Sequence, residues 1–117
     1  MTLLKNGFLA LLFLTLVSFS SLHHGWANYD QETVLDFKSK IQEPTYENPH
    51  STIKAVYKDQ EWLVILAPAT RMKDRGVTAA MLKKGAPVRI VAYPHKEVKN
   101  EMRAERIFID GKKYELR

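Results

Sequence analysis

EWLVILAPATRMKDRGVTAAMLKKGAPVRIVAY, residues 61–93, decides the fold. Its first seven residues are almost all apolar and rich in β-formers, which reads as a buried strand. Pro68 ends that run. Residues 69–75 then read as a short helical turn closed by Gly76, a residue suited to the left-handed conformation that terminates helices. Thr78 is the expected N-cap of a second helical turn over residues 79–84, with lysines in its last turn and Gly85 at its end. Residues 87–93 resume as a strand, in which Val88, Ile90 and Ala92 alternate with Arg89, Val91 and Tyr93.

Upstream, residues 33–43 (TVLDFKSKIQE) place Leu35, Phe37 and Ile41 on one face and charged or polar residues on the other. That is one half-buried strand of period two. Two prolines make residues 44–50 a loop, and residues 51–57 form a second alternating strand before a turn at 58–60. Downstream, a charged loop at 94–100 leads into a strand at 101–109. Asp110-Gly111 is a two-residue hairpin signal that returns residues 112–116 as a short last strand. Three strands, a helical connection and two strands, followed by a hairpin, is the order of an OB-like Greek-key barrel. The expected fold is therefore mainly β, with five to six antiparallel strands and the helical link between the third and fourth. Closure would remove the exposed sheet edges that a small β protein otherwise has to protect.

The N-terminus has a different character. Lys5 is followed by an uncharged apolar run, GFLALLFLTLVSF at 7–19, and then by small residues. This is the layout of a secretory signal, and the run is too short to span a bilayer as a helix. Gly25 and Ala27 suit cleavage after residue 27, and Ser18 and Ser20 suit cleavage after residue 20. Cleavage after Ala27 leaves one domain, residues 28–117, of about 90 residues. The 117-residue chain has 18 Lys and Arg against 13 Asp and Glu, and no cysteine. Export without disulfides fits a bacterial periplasm, or secretion from such a cell, with no stable membrane insertion after cleavage. The positive charge is spread rather than clustered, which argues against a nucleic-acid surface.

Several strings then become informative together: HHGWANYD (23–30), TYENPHSTI (45–53), VILAPATRMKDRG (64–76), LKKGAPV (82–88), AYPHK (92–96) and NEMRAERI (100–107). In this order the chain resembles a family of small exported bacterial proteins, domain of unknown function 6152. The resemblance implies a periplasmic, single-domain, β-rich protein and implies no activity. Members often have an alanine directly before the His pair, which suggests cleavage there; this chain has Leu22 at that position.

Chemistry-bearing residues are few. There is no nucleophile elbow, HExxH, phosphate loop or cysteine nucleophile. His50 and His95 each follow a proline, in the 44–50 and 94–100 loops, which an OB-like barrel is expected to bring to one end. With Tyr46, Tyr93 and Trp62 as aromatic area, they form the expected ligand surface. The plainer reading of those aromatics is core or half-core packing. Arg103 and Arg106 alternate with Glu101 and Glu105, which reads as surface ion pairing. Trp26 and Tyr29, where retained, are expected to dock the N-terminal arm. Cleavage after Ser20 would leave a free amine, two amides and an imidazole from His23, a square-planar set suited to Cu(II) or Ni(II). His24, His50 and His95 are the further candidate ligands. The leading expectation is a non-catalytic binding or accessory module for a small ligand or a periplasmic protein. A copper-binding protein is the alternative, and a small hydrolase the second alternative.

Overall fold

The computed structural model describes residues 25–117. The expected signal segment up to residue 24, with His23 and His24, lies outside the described residues. Seven strands form a single mixed sheet: β1 (Leu35–Lys40), β2 (Gln42–Thr45), β3 (Thr52–Tyr57), β4 (Gln60–Ile65), β5 (Pro87–Pro94), β6 (Glu101–Ile109) and β7 (Lys112–Glu115). Their hydrogen-bonded order is β1-β5-β6-β4-β3-β2, with β7 added to β6. One helix, α1 (Ala69–Asp74), and a 3₁₀ turn at Ala79–Met81 link β4 to β5.

Two features correct the expected five to six antiparallel strands. First, β4 and β6 run parallel, Leu63 beside Glu101 and Ile65 beside Arg103. Strands joined through α1 and β5 can meet in parallel, whereas a tight hairpin enforces antiparallel pairing. Second, the single strand expected over 33–43 is divided. Ile41 donates its N–H to Ala86 and accepts from Gly85, so its backbone leaves both ladders, and Glu43 follows at φ 41°. The strand path therefore ends at β1 and β2 and does not close on itself.

Other local expectations are met by identifiable chemistry. Gly76, at φ 92°, donates to Lys73, while Val77 donates to Met72, and together these bonds terminate α1. The second helical turn is shorter than expected, and its Thr78 N–H points to Met81 Sδ at 3.4 Å. Asp110 and Gly111 both adopt positive φ, 52° and 77°, as a type I′ hairpin turn requires. Ile53, Val64, Met72, Ile90, Met102, Ile107 and Leu116 are fully buried, so every strand but the polar β2 and the helix feed one core.

A bulge on β6 shapes its outer face. Val91 pairs with Arg106 but Ala92 pairs with Ala104, which leaves Glu105 as an extra residue. Met102 and Ala104 before the bulge, and Ile107 and Ile109 after it, all point into the core. The bulge thus resets the alternation and gathers Glu101, Arg103, Glu105 and Arg106 along one outer stretch.

Candidate functional site

The residues before β1 lie against that outer stretch. Tyr29 bridges His95, Lys96 donates to Asn28, and Asp30 donates to Pro94. These bonds lay the segment along the end of the β5–β6 hairpin, and a 3₁₀ turn, Trp26–Asn28, sets Trp26 over β6. The docking expected for Trp26 and Tyr29 is thereby seen.

Trp26 packs against two guanidinium groups. Arg103 Cζ and Arg117 Cζ are each 4.4 Å from its ring centroid, and Tyr93 meets it edge-on at 6.1 Å. Arg103 is only 8% exposed, and its Nε is buried without a partner. None of the ion pairs among the described residues includes it. The expectation of a surface ion pair is therefore corrected for Arg103, although Arg106 does pair with Glu105 and Glu115. Burial pulls the Arg103 guanidinium below its ordinary value, and the positive charges of Arg71 and Arg117 act in the same direction.

The flanking carboxylates are already engaged. Glu101 accepts from the Tyr29 hydroxyl at 2.7 Å, and burial followed by that bond pushes the Tyr29 phenol well above its ordinary value. Glu105 accepts from the Tyr93 hydroxyl at 2.6 Å and faces Arg106 at 3.3 Å and Arg117 at 3.6 Å. The Tyr93 phenol is raised as well, first by its bond to Glu105. Two carboxylates thus lie two residues either side of Arg103 while their strongest bonds come from neutral phenols. An uncompensated cation under an aromatic ring can pair with an anion, hold an aromatic ring, or do both.

His50 and His95 are not brought together. Asn100, closing the 94–100 loop, accepts from Leu63, and His95 donates to Glu101 opposite it. Ser51, which follows His50, exchanges hydrogen bonds with Leu66 and Ala67. The two loops therefore meet β4 at positions about four residues apart, roughly 13 Å of extended strand. This corrects the expected shared end, which rested on fold analogy rather than register. His50 is exposed in its loop. His95 Nδ1 accepts from the backbone N–H groups of Glu97 and Val98 at 3.0 and 2.9 Å, and its Nε2 lies 4.0 Å from Glu101. The Nδ1 lone pair is committed to the loop, so His95 acts as a loop brace. Among the described residues no three His, Cys, Asp or Glu side chains are grouped to hold a metal.

The aromatic candidates divide. Tyr46 donates to the Val77 carbonyl at 2.7 Å and packs on the core. Trp62 also packs on the core, edge-on to Tyr57 at 6.0 Å. Only Tyr93 belongs to the arginine face. Sequence reasoning took Arg103 for a surface ion pair and passed over Arg117; their shared partner, Trp26, is distant from both in the chain.

Fold and site together describe a small β-rich protein with one mixed sheet and an aromatic–arginine face. A protein-family model, Family of unknown function (DUF6152), matches residues 12–103, and the chain belongs to that family. No curated protein matches the chain.

Proposed function

We propose that the chain is an exported, non-catalytic binding module whose ligand surface is the face of Tyr93, Arg103 and Arg117 that Trp26 covers. The buried Arg103 without a carboxylate partner carries this reading. Burying an unpaired charge costs stability, and a binding partner that supplies the missing counter-charge offsets that cost. The signal layout of the first 27 residues supports a periplasmic or secreted location.

We further propose that the sheet is an OB-like, partly open barrel in which β1 and β2 are two halves of one bent strand. Three observations support it. Only Ile41 separates β1 from β2, the two ends of the strand path. Ser39 of β1 bridges the gap, its Oγ donating to the Val56 carbonyl at 2.9 Å and accepting from the Val56 N–H at 3.1 Å. The parallel β4–β6 pair is the arrangement a Greek-key closure of this strand order requires.

Protein purified from the periplasm and titrated with a panel of organic acids and short peptides tests the functional reading. Backbone and side-chain chemical shifts are expected to move around Tyr93, Arg103 and Arg117. Shifts confined to another surface, or chemical turnover of a panel compound, would overturn it.

A further inference from the structure

We propose that Trp26 is a plug, and that its removal opens a slot for a flat aromatic carboxylate against Arg103 and Arg117. This rests on the ligand face proposed above and names what the face takes and what closes it.

Three observations carry it. The indole ring lies 4.4 Å from each of the two guanidinium carbons, so the space it fills is one in which an aromatic ring meets two cations. Gly25, at φ 113°, lets the backbone lie directly on Arg103: a Cβ there would come within 2.8 Å of Arg103 Nη1. Residues 25 and 26 thus both lie on Arg103, and both are on the leader side of the Ala27 cleavage position. Finally, Arg103 Nε is buried without an acceptor beneath that cover.

The slot chemistry follows from these groups. A ring in place of the indole regains the two cation–π contacts and the edge of Tyr93. Trp26 brings no anionic group to Arg103. A ligand that adds a carboxylate supplies a charge-assisted, two-pronged partner for the guanidinium, so it outcompetes a neutral ring. Arg71, near enough to act on Arg103, adds attraction for an anion. Cleavage after Ala27 discards Gly25 and Trp26 and leaves Asn28 and Tyr29 to hold the rim through Lys96 and Glu101. Processing at that position would make the exported protein binding-competent, while the precursor carries its own ring in the slot.

Calorimetric titration with indole-3-acetate tests the proposal on the full chain, on the full chain carrying Trp26→Ala, and on the processed exported protein. The Trp26→Ala chain is expected to bind at least about tenfold tighter than the unsubstituted full chain, the size of losing one stacked competitor. The processed protein, if its intact mass shows a start at Asn28, should match the Trp26→Ala chain. Adding Arg117→Met, a change at a half-exposed side chain, should weaken binding about fivefold without altering the circular dichroism. Indole alone and acetate alone should each bind at least about tenfold more weakly than the joined molecule. Equal affinity of the full chain and Trp26→Ala would refute the plug while leaving the ligand face standing. Indole binding as tightly as indole-3-acetate would refute the anionic half of the slot. No binding to any form, alongside panel shifts at the same face, would refute the ligand class.

Discussion

Arg103→Met tests the energetic reasoning at its centre, because the expected sign is the reverse of that for most buried substitutions. Arg103 is 8% exposed, its Nε lacks a partner and no carboxylate pairs with it. The desolvation penalty of an ion in a protein interior is several kcal/mol before compensation. Among the described residues the compensation is one cation–π contact with Trp26 at 4.4 Å, which at a desolvated site is worth about 2 kcal/mol. Methionine keeps most of the apolar stem and removes the charge, so the packing loss is small. The net expectation is a gain of about 1–2 kcal/mol in unfolding free energy. Urea is the suitable denaturant because it adds no salt to screen the charges. The slope against urea should be unchanged while the midpoint rises. Arg106→Met is the control: its partners Glu105 and Glu115 lie at 3.3 and 2.9 Å, and its loss should cost about 0.5–1 kcal/mol. A loss of more than about 1 kcal/mol in Arg103→Met would show that the guanidinium is already well compensated, and the argument for a missing anion would fall.

Tyr29→Phe should cost about 1–2 kcal/mol near neutral pH, because it leaves the part-buried Glu101 without its phenol donor. The raised Tyr29 phenol means that the fold holds this proton more tightly than the unfolded chain does. Its contribution is complete below the unfolded value of about 10 and fades as pH climbs above it. Phenolate absorbance should therefore rise at a lower pH in urea than in buffer, and coincident curves would contradict the Tyr29–Glu101 bond. Met72→Ala should lower the unfolding free energy by about 2–5 kcal/mol, since Met72 is fully buried and is the side chain by which α1 enters the core. A thermal melt within a degree of the parent would mean that α1 is not docked. Cu(II) added to protein beginning at Asn28 should give no visible d–d band, because no three-ligand group exists among the described residues. A chain beginning at Ser21 is the comparison that isolates His23.

Much of the sheet was legible because its signals are local. Alternation marked Ile53, Ala55 and Val88, Ile90, Ala92 as inward, and they are buried. Gly76 and Asp110-Gly111 announced their turns because their backbone angles are ones few other residues adopt comfortably. The division at Ile41 was not legible, since the alternation of Leu35, Phe37 and Ile41 runs straight through it. Its cause is tertiary: Gly85 and Ala86 take the Ile41 backbone groups. The β4–β6 register is likewise a long-range pairing that neither strand's own pattern encodes. Of the expected ligand residues only Tyr93 joins the face now assigned. Tyr46 and Trp62 pack on the core instead. His50 and His95 were misjudged because loops containing a proline and a histidine look alike in sequence, and only register shows which end of β4 each one meets.

Arg103 was illegible for a more instructive reason. Between Glu101 and Glu105 on a strand, an arginine has two same-face carboxylates to choose from, and pairing with either is the cheap solution. The structure spends both carboxylates otherwise: Tyr29 and Tyr93 donate to them, and the cation between them is roofed by a tryptophan from the other end of the chain. Ordinary stability would favour the reverse, with the phenols left to backbone or solvent acceptors and the arginine paired. Holding the two carboxylates away keeps the guanidinium's Nε–H unspent. An arrangement that costs stability and preserves an unused donor is what a preorganised anion site requires.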